Sequence, residues 1–178
     1  MQASQIGRLF LICGHSFAGK TTLAEHITAR FGYPQIDVDV TKCELYGADI
    51  QDEQLTQRDW DRIYAESDAH MLAQLQAGHW LIDASHHFQR HERDHTRQLL
   101  QSIRAELVLI YLDTPESVVR QRWQHNALQP TRRHPSPSDF ASVIAAMQVP
   151  DPNEQALLMH YREDIDDWIE RHKHLFLR

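Results

Sequence analysis

Short apolar runs alternate along this chain with longer stretches in which apolar residues recur every three or four positions. That alternation predicts parallel strands joined by helices. Residues 8–13 (RLFLIC) make a short apolar run ending at Gly14, the pattern of a strand buried on both faces. Leu23, Ile27 and Phe31 then follow at helical spacing over 20–31, and Gly32 with Pro34 ends the segment. Residues 33–40 alternate Ile36, Val38 and Val40 with Asp37 and Asp39, which predicts a second strand with carboxylates near its C-terminal end. One or two amphipathic helices are expected over 52–76, a third strand over 79–85, and a helix over 89–103. ELVLIYL at 106–112 is the clearest strand, and Thr114 followed by Pro115 predicts a capped helix start. Residues 129–137 turn to Pro, Ser, Arg and His and read as an exposed loop of the lid kind, with a helix over 138–147 after it. Residues 156–161 fit a last strand or a helix, and 164–173 fit a closing helix.

With 178 residues and 42% hydrophobic content, the chain suits one domain, 1–178, rather than two. The formal net charge of −7 argues against a duplex nucleic-acid partner while leaving single nucleotides and strand ends open, because site chemistry depends on local charge. Two cysteines without metal-ligand spacing predict neither a disulfide framework nor a zinc site. The first apolar stretch is too short for a signal segment or a membrane span, so a cytoplasmic location is expected.

Chemistry enters at Gly14-His15-Ser16-Phe17-Ala18-Gly19-Lys20-Thr21, which satisfies the phosphate-binding pattern G-x-x-x-x-G-K-[ST] at every position. It lies between a predicted strand and a predicted helix, where backbone N–H groups and a helix N-terminus can surround phosphates. Lys20 is expected to reach the β- and γ-phosphates of ATP, and the hydroxyl of Thr21, followed by Thr22, to ligate Mg²⁺. Asp83 closes the apolar run LID and is the candidate second metal residue, direct or through water.

FLICGHSFAGKTTLA, IDVDVTKCELYG, LIDASHHFQRHER and YLDTPESVVRQRW together resemble the small AAA-type P-loop kinases grouped with zeta toxins, chloramphenicol phosphotransferase and the polynucleotide 5′-hydroxyl kinase domain. The resemblance implies an α/β three-layer P-loop NTPase sandwich with a mostly parallel five-stranded sheet, helices on both faces and a small lid around 120–140. It implies Asp39 as the base that accepts the acceptor's proton, in a D-x-x-R pattern where Lys42 stands for the usual arginine, and Asp39 and Lys42 as acceptor contacts. It also implies Arg93 near the acceptor and Arg122 at the start of the lid, stabilising the transferred charge. The arginine expected four residues beyond Arg122 is Asn126, which leaves Arg132 or Arg133 as the second lid contact.

Thirteen histidines include His87, His91 and His95 at four-residue spacing, read as one solvated helix face rather than a metal site. His15, within the motif's variable positions, is a candidate to line the nucleotide or acceptor pocket, with a plain loop residue as the favoured reading. The tryptophans read as core, except Trp123, whose place beside Arg122 makes it a candidate for base stacking. The function expected is ATP- and Mg²⁺-dependent transfer of a phosphoryl group to a hydroxyl of a small molecule, nucleotide or nucleic-acid end. The alternative is a nucleotide-dependent regulatory ATPase without a dedicated acceptor.

Overall fold

In β1 (Arg8–Cys13) the side chains alternate between two buried faces, and all five residues from Leu9 to Cys13 are fully buried in the computed structural model. The structure describes residues 6–85, 87–130 and 135–178. β2 (Gln35–Ile36), β3 (Trp80–Asp83), β4 (Glu106–Asp113) and β5 (Leu157–His160) complete a sheet in the order β2-β3-β1-β4-β5, and every pairing is parallel. Residues 156–161 therefore contribute a strand, which settles the ambiguity in their spacing.

Helices α1 (Lys20–Phe31), α2 (Val38–Tyr46), α3 (Gln57–Gln76), α4 (Arg90–Ile103), α5 (Glu116–Leu128), α6 (Pro137–Ala146) and α7 (Ile165–Arg171) connect or flank the strands. Phe10 and Ile12 pack with Leu23 and Ile27 of α1 and Trp168 and Ile169 of α7 on one face. Leu9 packs with Met71 and Leu75 of α3, Leu81 of β3 and Leu100 of α4 on the other. Burying each such side chain contributes about 1.5–3 kcal/mol before conformational entropy is counted. The result is helix, sheet, helix in three layers, with a P-loop NTPase topology. Among the described residues no helix is long and apolar enough to cross a membrane.

Two local expectations are corrected. The strand expected over 33–40 stops at Ile36, because the Asp37 side chain accepts a hydrogen bond from the Asp39 N–H at 2.8 Å and caps α2. An aspartate offering that bond competes with the strand ladder. Thr114 does not cap α5; its hydroxyl donates to the Ala18 carbonyl at 3.2 Å, and α5 begins with no side-chain cap.

Candidate active site

β1 ends where Gly14 begins the loop, and the loop's backbone conformation demands its residues. Gly14 has φ 141° and Gly19 φ 112°, and a Cβ on Gly14 would sit 3.0 Å from the Leu112 carbonyl oxygen. Phe17, at φ 63°, holds a left-handed conformation that is costly for a bulky side chain. It is kept there by packing against Val119, Phe140 and Ile144.

Helix α1 starts at Lys20 with glycine as its cap, no side-chain cap and no acidic residue in its first turn. No carboxylate in its own first turn compensates its N–H groups and dipole, the arrangement that suits a phosphate. The Lys20 ammonium donates to the carbonyls of Gly14 at 3.1 Å and His15 at 3.0 Å, lying along the loop, with its Nζ 5.1 Å from the centre of the Phe88 ring. Arg122, reaching across from α5, donates to the carbonyls of Phe17 at 3.0 Å and Ala18 at 2.7 Å.

Ser16 to Leu23 line one wall of a cavity of about 960 Å³. Gln35, Asp37, Asp39 and Ser85 line another part of it, and Arg122, Asn126 and Tyr161 a third. The sheet register explains the convergence: Ile36 pairs with Asp83, so Asp37 and Ala84 leave their strands side by side at the edge where β1 delivers the loop. A crevice at the carboxyl ends of parallel strands is the general ligand position in such sheets.

Asp83 is buried beneath this surface. Its Oδ1 accepts from the Ser85 N–H at 2.8 Å and its Oδ2 pairs with His87 Nε2 at 2.9 Å. Burial alone would raise its pKa, but the His87 charge and these hydrogen bonds hold it below the ordinary aspartate range. It does not line the cavity, whereas Thr21 does. The donor set suits a magnesium ion, since a carboxylate and a hydroxyl are both hard oxygen ligands. The recessed carboxylate suits the water-mediated role rather than the direct one. His15 also lies outside the lining; burial depresses its pKa, and its Nδ1 is buried with no hydrogen-bond partner.

Asp39 sits in the first turn of α2, exposed, with its Oδ1 2.8 Å from Lys42 Nζ. Lys42 is buried and also reaches Asp52 Oδ1 at 3.0 Å. Arg93 requires a correction. It is fully buried, its Nε and Nη2 each donating to Glu154 at 2.8 Å and its Nη1 to the carbonyls of His87 and Phe88. It braces the segment after β3 from below instead of facing an acceptor.

Trp123 is also corrected, since its ring stacks on Phe140 at 4.6 Å and its Nε1 donates to the Pro135 carbonyl. His87 lies before α4 and faces Asp83, while His95 faces Asp68, so the three histidines share no single face. Arg132 and Arg133 lie outside the described residues. The spacing of residues did not single out Phe88, Asp52 or Glu154, and it marked His87 only as one of three histidines on a helix face. The aspartate-to-histidine interval of four, Asp83 to His87, was the one local hint of that pair.

Residues 9–150 match the family described as an AAA domain. No curated protein matches the sequence. Among solved structures, Kti12 of Chaetomium thermophilum in complex with ADP-AlF3 is similar at 14% identity and a TM-score of 0.72, over 96% of this chain and 100% of that one. The APS kinase CysC of Mycobacterium tuberculosis, in complex with AMPPNP and APS, is 16% identical with a TM-score of 0.69, over 96% of this chain and 98% of that one. A gluconokinase from Sinorhizobium meliloti 1021 is 17% identical with a TM-score of 0.60, over 93% and 89% respectively. These likenesses establish the shared fold.

Proposed function

The chain belongs to the AAA domain family, and from that premise we propose that it is an ATP- and Mg²⁺-dependent phosphotransferase acting on a hydroxyl acceptor. The observation that carries this reading is the single cavity in which the loop from Ser16 to Thr22 and the carboxylates of Asp37 and Asp39 share one space. A nucleotide-binding loop alone serves many functions, but a carboxylate pair across from it provides a place for a second substrate.

In this reading Gly14 to Thr22 bind the phosphates through backbone N–H groups, and Lys20 turns from its carbonyl partners to the β- and γ-oxygens. Thr21, with Asp83 through water, would hold magnesium, which would offset the negative charge of the phosphates. Asp39 orients the acceptor hydroxyl and takes its proton as the new oxygen–phosphorus bond forms. The bond from phosphorus to the bridging oxygen breaks, and ADP leaves with the electron pair. Arg122 stabilises the charge on the transferring group. Residues 120–140 act as the lid of one domain, with Arg132 or Arg133 as its second contact.

Labelled ATP, Mg²⁺ and a panel of hydroxyl acceptors test the proposal. Transfer to an acceptor is expected, and Asp39→Asn is expected to abolish it while leaving ATP binding nearly intact. ATP hydrolysis with no transfer to any acceptor would instead favour a nucleotide-dependent regulatory ATPase.

A further inference from the structure

Among the described residues, the two cations expected at the acceptor are engaged inside the protein. Lys42, which occupies the position of an expected acceptor contact, is only 7% exposed and is held between Asp39 and Asp52. Burial would lower its pKa, but the hydrogen bonds to both carboxylates raise it, so it remains an ammonium matched by two acids. Arg93, the other expected contact, has no exposed surface and is closed off by Glu154 and two carbonyls. Among the described residues that line the cavity, the lysine and arginine side chains are Lys20 and Arg122, and both lie against the phosphate loop.

The part of the cavity lined by Asp37 and Asp39 has a definite chemistry. Asp37 and Asp39 are acceptor-only carboxylates, Gln35 offers an amide, Ser85 a hydroxyl, and Ile36 and Val38 apolar surface. Carboxylates match groups that donate hydrogen bonds, namely hydroxyls and ammonium groups, and repel phosphates and carboxylates. Tyr64 stands in the same field: burial raises its pKa, and the charges of Glu92, Asp39 and Asp52 raise it further.

We infer that the acceptor is a polyol without negative charge, neutral or amine-bearing, and that phosphorylated and carboxylated hydroxyl compounds are rejected. This inference rests on the phosphotransferase reading above and narrows its acceptor.

The test measures kcat/KM with ATP and Mg²⁺ for matched sets built on a hexose, a pentitol and a nucleoside. Each set contains a neutral member, an amine-bearing member, a carboxylate and a phosphate ester. The neutral or amine-bearing member of a set is expected to exceed its anionic counterparts by about tenfold or more, the scale of one unfavourable charge contact. A carboxylate or phosphate ester used equally well or better overturns the inference and leaves the phosphotransferase reading standing. Transfer to none of the compounds, beside measurable ATP hydrolysis, removes both.

Asp52→Asn supplies an independent check, because it releases one of the two acids that hold Lys42 and does not alter the lining of the cavity. It is expected to lower KM for anionic members about threefold or more relative to neutral ones. An unchanged ratio means that the paired lysine does not set the discrimination, and the inference fails.

Discussion

The guanidinium of Arg93 meets the carboxylate of Glu154 side-on, Nε to Oε2 and Nη2 to Oε1, both at 2.8 Å and both buried. The same carboxylate also receives Arg97 at 2.6 Å. Burial alone would raise the Glu154 pKa, but hydrogen bonds from Arg93 and Arg97 bring it down to about 2 from 4.5. A depressed folded-state pKa gives stability that is complete above the unfolded value and is lost as pH falls through the folded one. Denaturant titrations are therefore expected to show stability falling between about pH 5 and pH 2. Glu154→Gln should cost on the order of 3 kcal/mol at pH 7 by leaving Arg93 buried without its counter-charge. It should also flatten that acid slope; a slope unchanged in the variant would assign the acid loss to other carboxylates.

Cys13 ends β1 beneath the phosphate loop with no exposed surface, and burial pushes its thiol up to about 11. The thiolate is the reactive species, so Cys13 should resist alkylation at pH 8. Cys43 on α2 is partly exposed. Mass spectrometry after brief iodoacetamide treatment should find one modified cysteine in the native protein and two in denaturant. Rapid native labelling of Cys13 would show that β1 opens readily.

The Lys20 ammonium donates to the Gly14 and His15 carbonyls, so Lys20→Met should lower thermal stability as well as ATP affinity. Losing a charge-assisted contact of about 1.5–3 kcal/mol should weaken ATP binding roughly ten- to hundredfold by calorimetry. Equal ATP affinity in the variant would remove Lys20 from the phosphate site.

Phe140 joins the two aromatic partners Phe17 and Trp123, edge-on to one and stacked on the other. Phe140→Ala should destabilise the protein by about 3–5 kcal/mol through the cavity it leaves. Because Phe17 belongs to the phosphate loop, ATP affinity should fall as well, and by more than in an equally destabilised variant far from the loop. Loss of stability with unaltered affinity would mean that this cluster does not shape the loop.

How much of this was legible depended on how locally each feature is determined. Gly14 to Thr21 could be read directly, because a phosphate loop is specified by contiguous residues and their flanking strand and helix. β1 and α1 were legible for the same reason, since an apolar run and a 3.6-residue spacing are local patterns. Residues 37–40 were misread because Val38 and Val40 alternate with aspartates, yet the cap formed by Asp37 decided the backbone and left Val40 54% exposed. Arg93 was placed at the acceptor by resemblance alone, and its partner Glu154, 61 positions away, could not be read from the local pattern. Thr114 was misassigned similarly, its hydroxyl being claimed by Ala18 from 96 positions away. Pairings that long leave no trace in periodicity.

The Ala18 carbonyl accepts from both the Thr114 hydroxyl and the Arg122 guanidinium. Should Arg122 swing toward a phosphate, Thr114 still holds that carbonyl, and the peptide keeps its orientation. The loop's shape is then fixed when the chain folds, before any nucleotide arrives, so little ordering entropy opposes binding. Empty and loaded forms can share one backbone, and selection between ligands falls to side chains alone.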